Sequence, residues 1–144
     1  MSELILIVNL GAERVAFPAS AVEGVVEIEA LTKVPRAARH VAGLAALRSR
    51  VLTVIDCLAS LDAGRTAETD AREAVVVVLD GHPYALLVGG VEDVREADGE
   101  ILPLQGKLRA GWSRVGLGMV QSGEELLLLV DVAVLIAGPS AQAA

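Results

Sequence analysis

Few side chains in this sequence could take part in covalent or acid–base chemistry: one cysteine, Cys57, and two histidines, His40 and His82, head the short roll. A thiol nucleophile needs a base beside it. The stretch Val54-Ile55-Asp56-Cys57-Leu58 carries no such signature, and a free cysteine at a helix start reads as a small buried hydrophobe. A transition-metal site asks for three or four imidazole or thiolate ligands. Two histidines and one cysteine standing singly do not supply them, so neither a metal nor a cofactor is expected. His82, just before Pro83, reads as a solvent-facing turn residue. Gly111-Trp112-Ser113-Arg114-Val115 lacks the second glycine of a nucleophile elbow, and no phosphate-binding glycine pattern occurs. The carboxylate pairs Glu92-Asp93 and Glu124-Glu125 are adjacent in sequence, so each pair diverges on a strand or sits in a turn. The expectation is a protein that is not an enzyme.

Composition narrows what such a protein can bind. The 144 residues carry a formal net charge of −7, and their aromatics are Phe17, Tyr84 and Trp112 alone. Nucleic-acid binding rests on a basic field and stacking aromatics, so nucleic acid is excluded; anionic lipid also attracts cations, so direct binding to it is disfavoured. The apolar run Leu126–Ala137 is interrupted by Asp131 and falls short of the roughly 20 residues of a membrane span. The N-terminal Leu4–Val8 run is too short for a signal peptide, and a single cysteine allows no disulfide within the chain. These features lead us to expect a cytoplasmic protein without direct membrane insertion.

The elements that must carry any binding surface are short aliphatic runs separated by turn chemistry, which predicts an all-β fold. Leu4–Leu10 and Arg14–Phe17 flank Gly11-Ala12-Glu13. Val41–Leu47 and Val51–Ile55 flank Arg48-Ser49-Arg50, Ala74–Leu79 and Tyr84–Val88 flank Asp80-Gly81-His82-Pro83, and Val115–Val120 and Leu126–Val130 flank residues 121–125. The order is written twice. Gly11 corresponds to Gly81, Val22 to Val91, Pro35 to Pro103 and Asp56 to Asp131, a repeat of supersecondary structure in fixed order. It predicts two five-stranded barrel lobes, residues 1–61 and 74–137, joined by a polar linker 62–73 and followed by a flexible tail 138–144. Asp56 and Asp131 are placed to cap short helices at Cys57–Leu61 and Val132–Ile136. Gly116-Leu117-Gly118 within a strand marks a bulge or a close backbone approach.

Three segments resemble the CheW family of chemosensory coupling proteins. They are Leu31-Thr32-Lys33-Val34-Pro35, Val41-Ala42-Gly43-Leu44-Ala45-Ala46-Leu47-Arg48-Ser49 and Val51-Leu52-Thr53-Val54-Ile55-Asp56. Val15-Ala16-Phe17-Pro18 upstream and Leu86 through Val94 downstream extend the resemblance over nearly all of residues 3–137. It implies two SH3-like five-stranded barrels with a few short helices. It implies an adaptor that couples the cytoplasmic tip of methyl-accepting chemoreceptors to the regulatory domain of a CheA-type histidine kinase, recruited to membrane-associated arrays. A groove between the lobes would take the receptor tip, and exposed strand ends would dock the kinase. Val22, Gly43, Leu47, Arg48, Val91 and Val94 fall where the family places receptor or kinase contacts, an apolar floor with one guanidinium. The sequence departs from the family pattern at Gly24, Ala46, Ser49, Thr53, Cys57 and Gly89. Ser49 replaces a turn glycine beside Arg48. These departures fit an accessory scaffold of a pilus- or motility-type pathway as well as a main coupler. Two other classes stand beside this: a small-ligand-binding barrel with its site between the lobes, and a subunit that self-assembles through exposed strand edges.

Overall fold

The computed structural model describes residues 3–64, 73–104, 106, 108 and 110–139. The first half runs β1 (Leu4–Leu10), β2 (Glu13–Pro18), β3 (Val22–Glu27), β4 (Val41–Leu47), β5 (Arg50–Asp56) and helix α1 (Cys57–Ser60). The second half runs β6 (Glu73–Leu79), β7 (His82–Leu87), β8 (Gly90–Glu96), β9 (Asp98–Leu102), α2 (Ala110–Val115), β10 (Gly116–Ser122), β11 (Glu125–Val130) and α3 (Val132–Ala137). The two expected helices are present, each started by the expected aspartate. The Asp56 carboxylate accepts from Ala59 N–H at 3.2 Å, and that of Asp131 accepts from Ala133 and Val134 N–H at 3.0 and 3.4 Å. Several element bounds differ from expectation, three of them with consequence for the reading. Val115 closes a helix instead of opening a strand, His82 and Pro83 already belong to β7, and Glu73 begins β6. The rest of the expected linker, 65–72, and the tail from 140 lie outside the described residues.

The strands form two sheets, ordered β8-β1-β2-β11-β10-β9 and β3-β6-β7-β5-β4. Each sheet draws on both halves of the chain. Hairpin β1–β2 leaves the first half and pairs with the second-half strands through β8 on one side and, in parallel, β11 on the other. Hairpin β6–β7 makes the reciprocal move, pairing with β3 and, in parallel, with β5. The expectation that residues 1–61 and 74–137 each form a barrel is therefore corrected: the halves exchange their first hairpins. The repeat could not reveal this, because an exchanged hairpin has the same strands, turns and inward-facing residues as one that stays at home.

Both sheets curl shut by the same device. In the first, β8 lies at one edge and β9 at the other, and only Ala97 separates them in sequence. A single bent strand thus serves both edges and leaves five strand directions around the barrel. In the second, the chain beyond β3 reaches Thr32, which bridges back to Leu44 on the opposite edge. The strand being closed upon carries a bulged glycine in each case, Gly118 in β10 and Gly43 in β4. Their φ angles are 155° and 152°. A Cβ on Gly118 would stand 2.5 Å from the Leu102 carbonyl oxygen, and one on Gly43 would stand 2.5 Å from that of Thr32. Glycine is required at both places because the crossing backbone occupies the side-chain position. Since Met119 pairs with Leu102 as Leu44 does with Thr32, the counterpart of Thr32 is Leu102. The sequence alignment of Pro35 with Pro103 is two residues out of register.

Alternation along the strands separates three apolar clusters. Ile5, Ile7, Ala16, Ala97, Val120, Leu127 and Leu129 belong to the β1-containing barrel, and Ile28, Ala45, Leu52, Val54, Ala74, Val76, Ala85 and Leu87 to the β3-containing barrel. The largest cluster draws from both sheets and all three helices: Leu6, Val8 and Phe17 meet Ile55, Val75, Val77 and Leu86, with Cys57, Trp112, Val115, Leu135 and Ile136. The largest of the three apolar clusters is thus shared between the barrels, and apolar burial is the main source of stability.

Candidate protein-docking surface

That shared cluster overturns one expectation about the site. An oily cleft between the two lobes, rimmed by Arg48, is absent from the described residues: the space between the sheets is packed core. A groove of about 300 Å³ opens at its margin. Trp112, Val15 and Leu128 of the core form its floor, and Met119, Leu126 and Leu108 continue it outward. Its arginine is Arg14, which donates to Glu92 at 2.8 and 2.9 Å and to Glu125. Arg95 holds Glu125 from the other side at 3.0 Å. The hydrogen bond from Arg14 is the main reason both Glu92 and Glu125 are held below the usual carboxylate range, and the two carboxylates in turn push Arg14 up. The groove is small for a ligand site.

The six residues expected at the site fall in three places. Leu47 and Arg48 sit at the tip of hairpin β4–β5. Arg48 is exposed with a left-handed φ of 58°, and it makes no hydrogen bond or ion pair among the described residues. Ser49 carries no positive φ, so replacing the family's glycine there costs no backbone strain; the left-handed residue is the arginine itself. Val51, 62% exposed, pairs with exposed Ala46 just behind the tip. This leaves two exposed aliphatics close in the chain to an arginine that is unpaired among the described residues. Arg50, by contrast, is tied to Glu23 on β3 at 2.7 Å. Gly43 is buried beneath Thr32 and serves barrel closure. Val22 and Val91 are half-buried against the shared core, whereas Val94 is 52% exposed on β8. The structure therefore keeps Leu47 and Arg48 at one hairpin tip, leaves Val94 exposed on β8, and gives Gly43 a structural role.

Sequence reasoning passed over a set of buried polar groups that fix α3. Three successive carbonyls in its last turn each meet a different part of the chain: Val134 accepts from Arg114 of α2 at 3.0 Å, Leu135 accepts from the Ser60 hydroxyl of α1 at 2.5 Å, and Ile136 bonds His40 Nε2 at 2.8 Å. Arg114 also donates to the Ser60 carbonyl at 2.7 Å. These bonds satisfy carbonyls that a helix end leaves open. The signal was present, since His40, Ser60 and Arg114 are polar residues bordering apolar runs, but their common target lies far along the chain. Burial, with the Asp56 charge adding to it, pushes the Cys57 thiol well up, which keeps it protonated and unsuited to nucleophilic attack. No group of three or more His, Cys, Asp or Glu among the described residues could hold a metal.

Comparison with known proteins matches this geometry. Residues 4–139 match the model of the CheW-like domain. The fold is similar to the crystal structure of scaffolding protein TtCheW from Thermoanaerobacter tengcongensis, with a TM-score of 0.79 at 21% identity, over 90% of this chain and 89% of that one. A search of curated protein sequences returns no match.

Proposed function

Because this chain belongs to the CheW-like domain family, whose members are non-catalytic scaffolds of chemotaxis, we propose that it couples the cytoplasmic tips of chemoreceptors to a CheA-type histidine kinase. The family match over 4–139 carries the reading. The surface supports it by offering two docking features on different barrels. One is the β4–β5 tip, where Arg48 presents a cation unpaired among the described residues beside exposed Ala46 and Val51, with half-buried Leu47 anchoring the tip to the β3-containing core. The other is the groove walled by Trp112, Met119 and Leu126. An adaptor needs two such faces, because it must hold two partners at once. An arginine beside exposed aliphatics is a common interface anchor, since its planar fork fixes orientation while its stem adds contact area. Val94 on β8 extends the candidate contacts, and Val22 and Val91 support them from the core edge. Among the described residues no helix is long and apolar enough to cross a membrane; attachment to membrane-associated receptor arrays would come through these docking faces, from the cytoplasmic side.

The test is Arg48→Glu. It should cut capture of the receptor tip or the kinase regulatory domain at least tenfold, the effect of about 1.4 kcal/mol, while thermal melting stays at the wild-type value. Arg50→Gln, which loosens a residue already paired inside the fold, should leave capture intact. Undiminished capture by the Arg48 variant of both partners overturns the assignment of the tip.

A further inference from the structure

The interior of the β1-containing barrel is open at one end. A cavity of about 270 Å³ lies there over Ile5, Ala97, Val120 and Leu129, all of them members of that barrel's own core. The other barrel shows where the space comes from. Ile28 follows β3 as Ala97 follows β8, each six residues past the matched valine, Val22 or Val91. Both side chains belong to the interior cluster of their barrel. Ile28 is wholly buried at that place, whereas an alanine lacks most of the volume. Ala97 is held there by its N–H, which donates to the Glu3 carbonyl at 2.7 Å. Glu3 and Glu100 form the lip of the cavity. Both are exposed, and their carboxylates have no hydrogen bond or ion pair among the described residues. Nearby groups leave that charge in place. Arg95 is taken by Asp93 and Glu125, Asp98 accepts from Gly123 N–H at 2.8 Å, and no lysine or arginine occurs between Arg95 and Lys107.

We propose that this barrel mouth binds a short branched alkylamine, its hydrocarbon body in the place that isoleucine fills in the other barrel and its ammonium at the Glu3 and Glu100 carboxylates. Barrel mouths are a favoured position for ligand sites, and a volume below the drug-sized range restricts the occupant to a few carbons. The floor is wholly aliphatic, so it selects by shape and apolar burial and offers nothing to a ligand's internal polar groups. Two unpaired carboxylates at the lip then select a cation over a neutral or anionic molecule of the same shape. Their attraction is stronger at the edge of a low-dielectric wall than in open water. The walls come from β1, β9, β10 and β11 and from the Ala97 bend, so a bound amine braces the place where this barrel closes. The site lies apart from the β4–β5 tip and the Trp112 groove, and it is tested without receptor or kinase.

The probe is isoamylamine, whose branched body is an isomer of the isoleucine side chain. Titrated into the full chain, it should shift the amide NMR signals of Ala97, Val120 and Leu129 saturably, with a Kd of about 1 mM or below, and raise the melting temperature. Isovalerate, the same skeleton with the opposite charge, should bind at least about tenfold more weakly. Ala97→Ile, which gives this barrel the side chain of the other, should weaken amine binding at least about tenfold. The double variant Glu3→Gln, Glu100→Gln should bind isoamylamine no better than isoamyl alcohol, because only shape is then read. A lysine side chain carries the same chemistry, so capped lysine is titrated alongside. Tighter binding of capped lysine than of the free amine overturns the small-ligand assignment. No saturable shift up to about 50 mM amine, equal binding of isovalerate, or undiminished binding by Ala97→Ile also overturns the proposal. Circular dichroism reports folding of each variant, and if Ala97→Ile unfolds, the glutamine variant and the wild-type comparison of amine with isovalerate decide.

Discussion

The two barrels agree in how they close and differ in the chain that leads away from the closure. In both, a bent strand crosses a bulged glycine, and in both the last hairpin ends at an aspartate that caps a short helix. Beyond the crossing, the first half passes through an exposed connection directly to buried His40 and β4, whereas the second half inserts α2 before β10. His40 and Arg114 of α2 then converge on the same target, the carbonyl end of α3. Helix α1 receives only the second of these clamps, through the Ser60 carbonyl. What the repeat preserves is what a small barrel needs in order to shut. What it varies fastens the end of the chain, and the surfaces beyond the two closures differ accordingly.

The equivalence of the closures can be broken most forcefully at the glycines. Gly118→Ala and Gly43→Ala should each destabilise the fold by about 3 kcal/mol, from a disfavoured φ and a carbonyl oxygen where the methyl must go. Gly24→Ala, with nothing within 4 Å of the added carbon, should stay within about 0.5 kcal/mol of wild type. Urea denaturation reads all three, and a barrel that tolerated its alanine would refute a shared closure. The helix caps sharpen the comparison at smaller scale. Asp131→Ala should cost about 1 kcal/mol. Asp56→Ala should cost more, because Asp56 is 2% exposed and its loss strands buried N–H groups that water cannot reach. Equal costs would mean that burial does not distinguish the two caps.

The smallest effect concerns the Arg14 network, which only the β1-containing barrel carries. Glu92 and Glu125 have folded-state values below those of the unfolded chain, so their contribution is complete above the ordinary glutamate value of about 4.3. It is lost as pH falls through the depressed folded values. Thermal melting between pH 6 and about pH 3 should therefore fall more steeply for wild type than for Arg14→Gln, and added salt should narrow the gap because these groups are exposed. Parallel pH profiles would show that the network does not stabilise the fold.

The all-β class, the strand pairs, both capped helices and the bulge at Gly118 were legible in the sequence, because each rests on local chemistry: alternation, turn residues, a carboxylate before an apolar turn. The exchange of hairpins was not, since pairing partners distant in sequence leave no trace in a local pattern. Helix α2 escaped notice because the sequence ahead of it, Leu108-Arg109, has no residue type that favours a helix start, and it ends directly in β10. Among the site residues, Arg48 could be placed on an exposed turn from its neighbours alone. Val22 and Val91, aliphatic and half-buried, could not be assigned to core or surface by type, and Gly43 turned out to make room for Thr32.

The crossed hairpins have a consequence for how the molecule comes apart. A chain severed between residues 64 and 73 would yield two pieces, neither able to complete a barrel, because each lends its opening pair of strands to the other. Such pieces should be unstructured separately and should reconstitute the native β-sheet signal when combined, in the manner of complementing enzyme fragments. For the intact chain, the same reciprocity means that one barrel cannot melt while its neighbour survives, and a single sharp transition is the expected thermal signature.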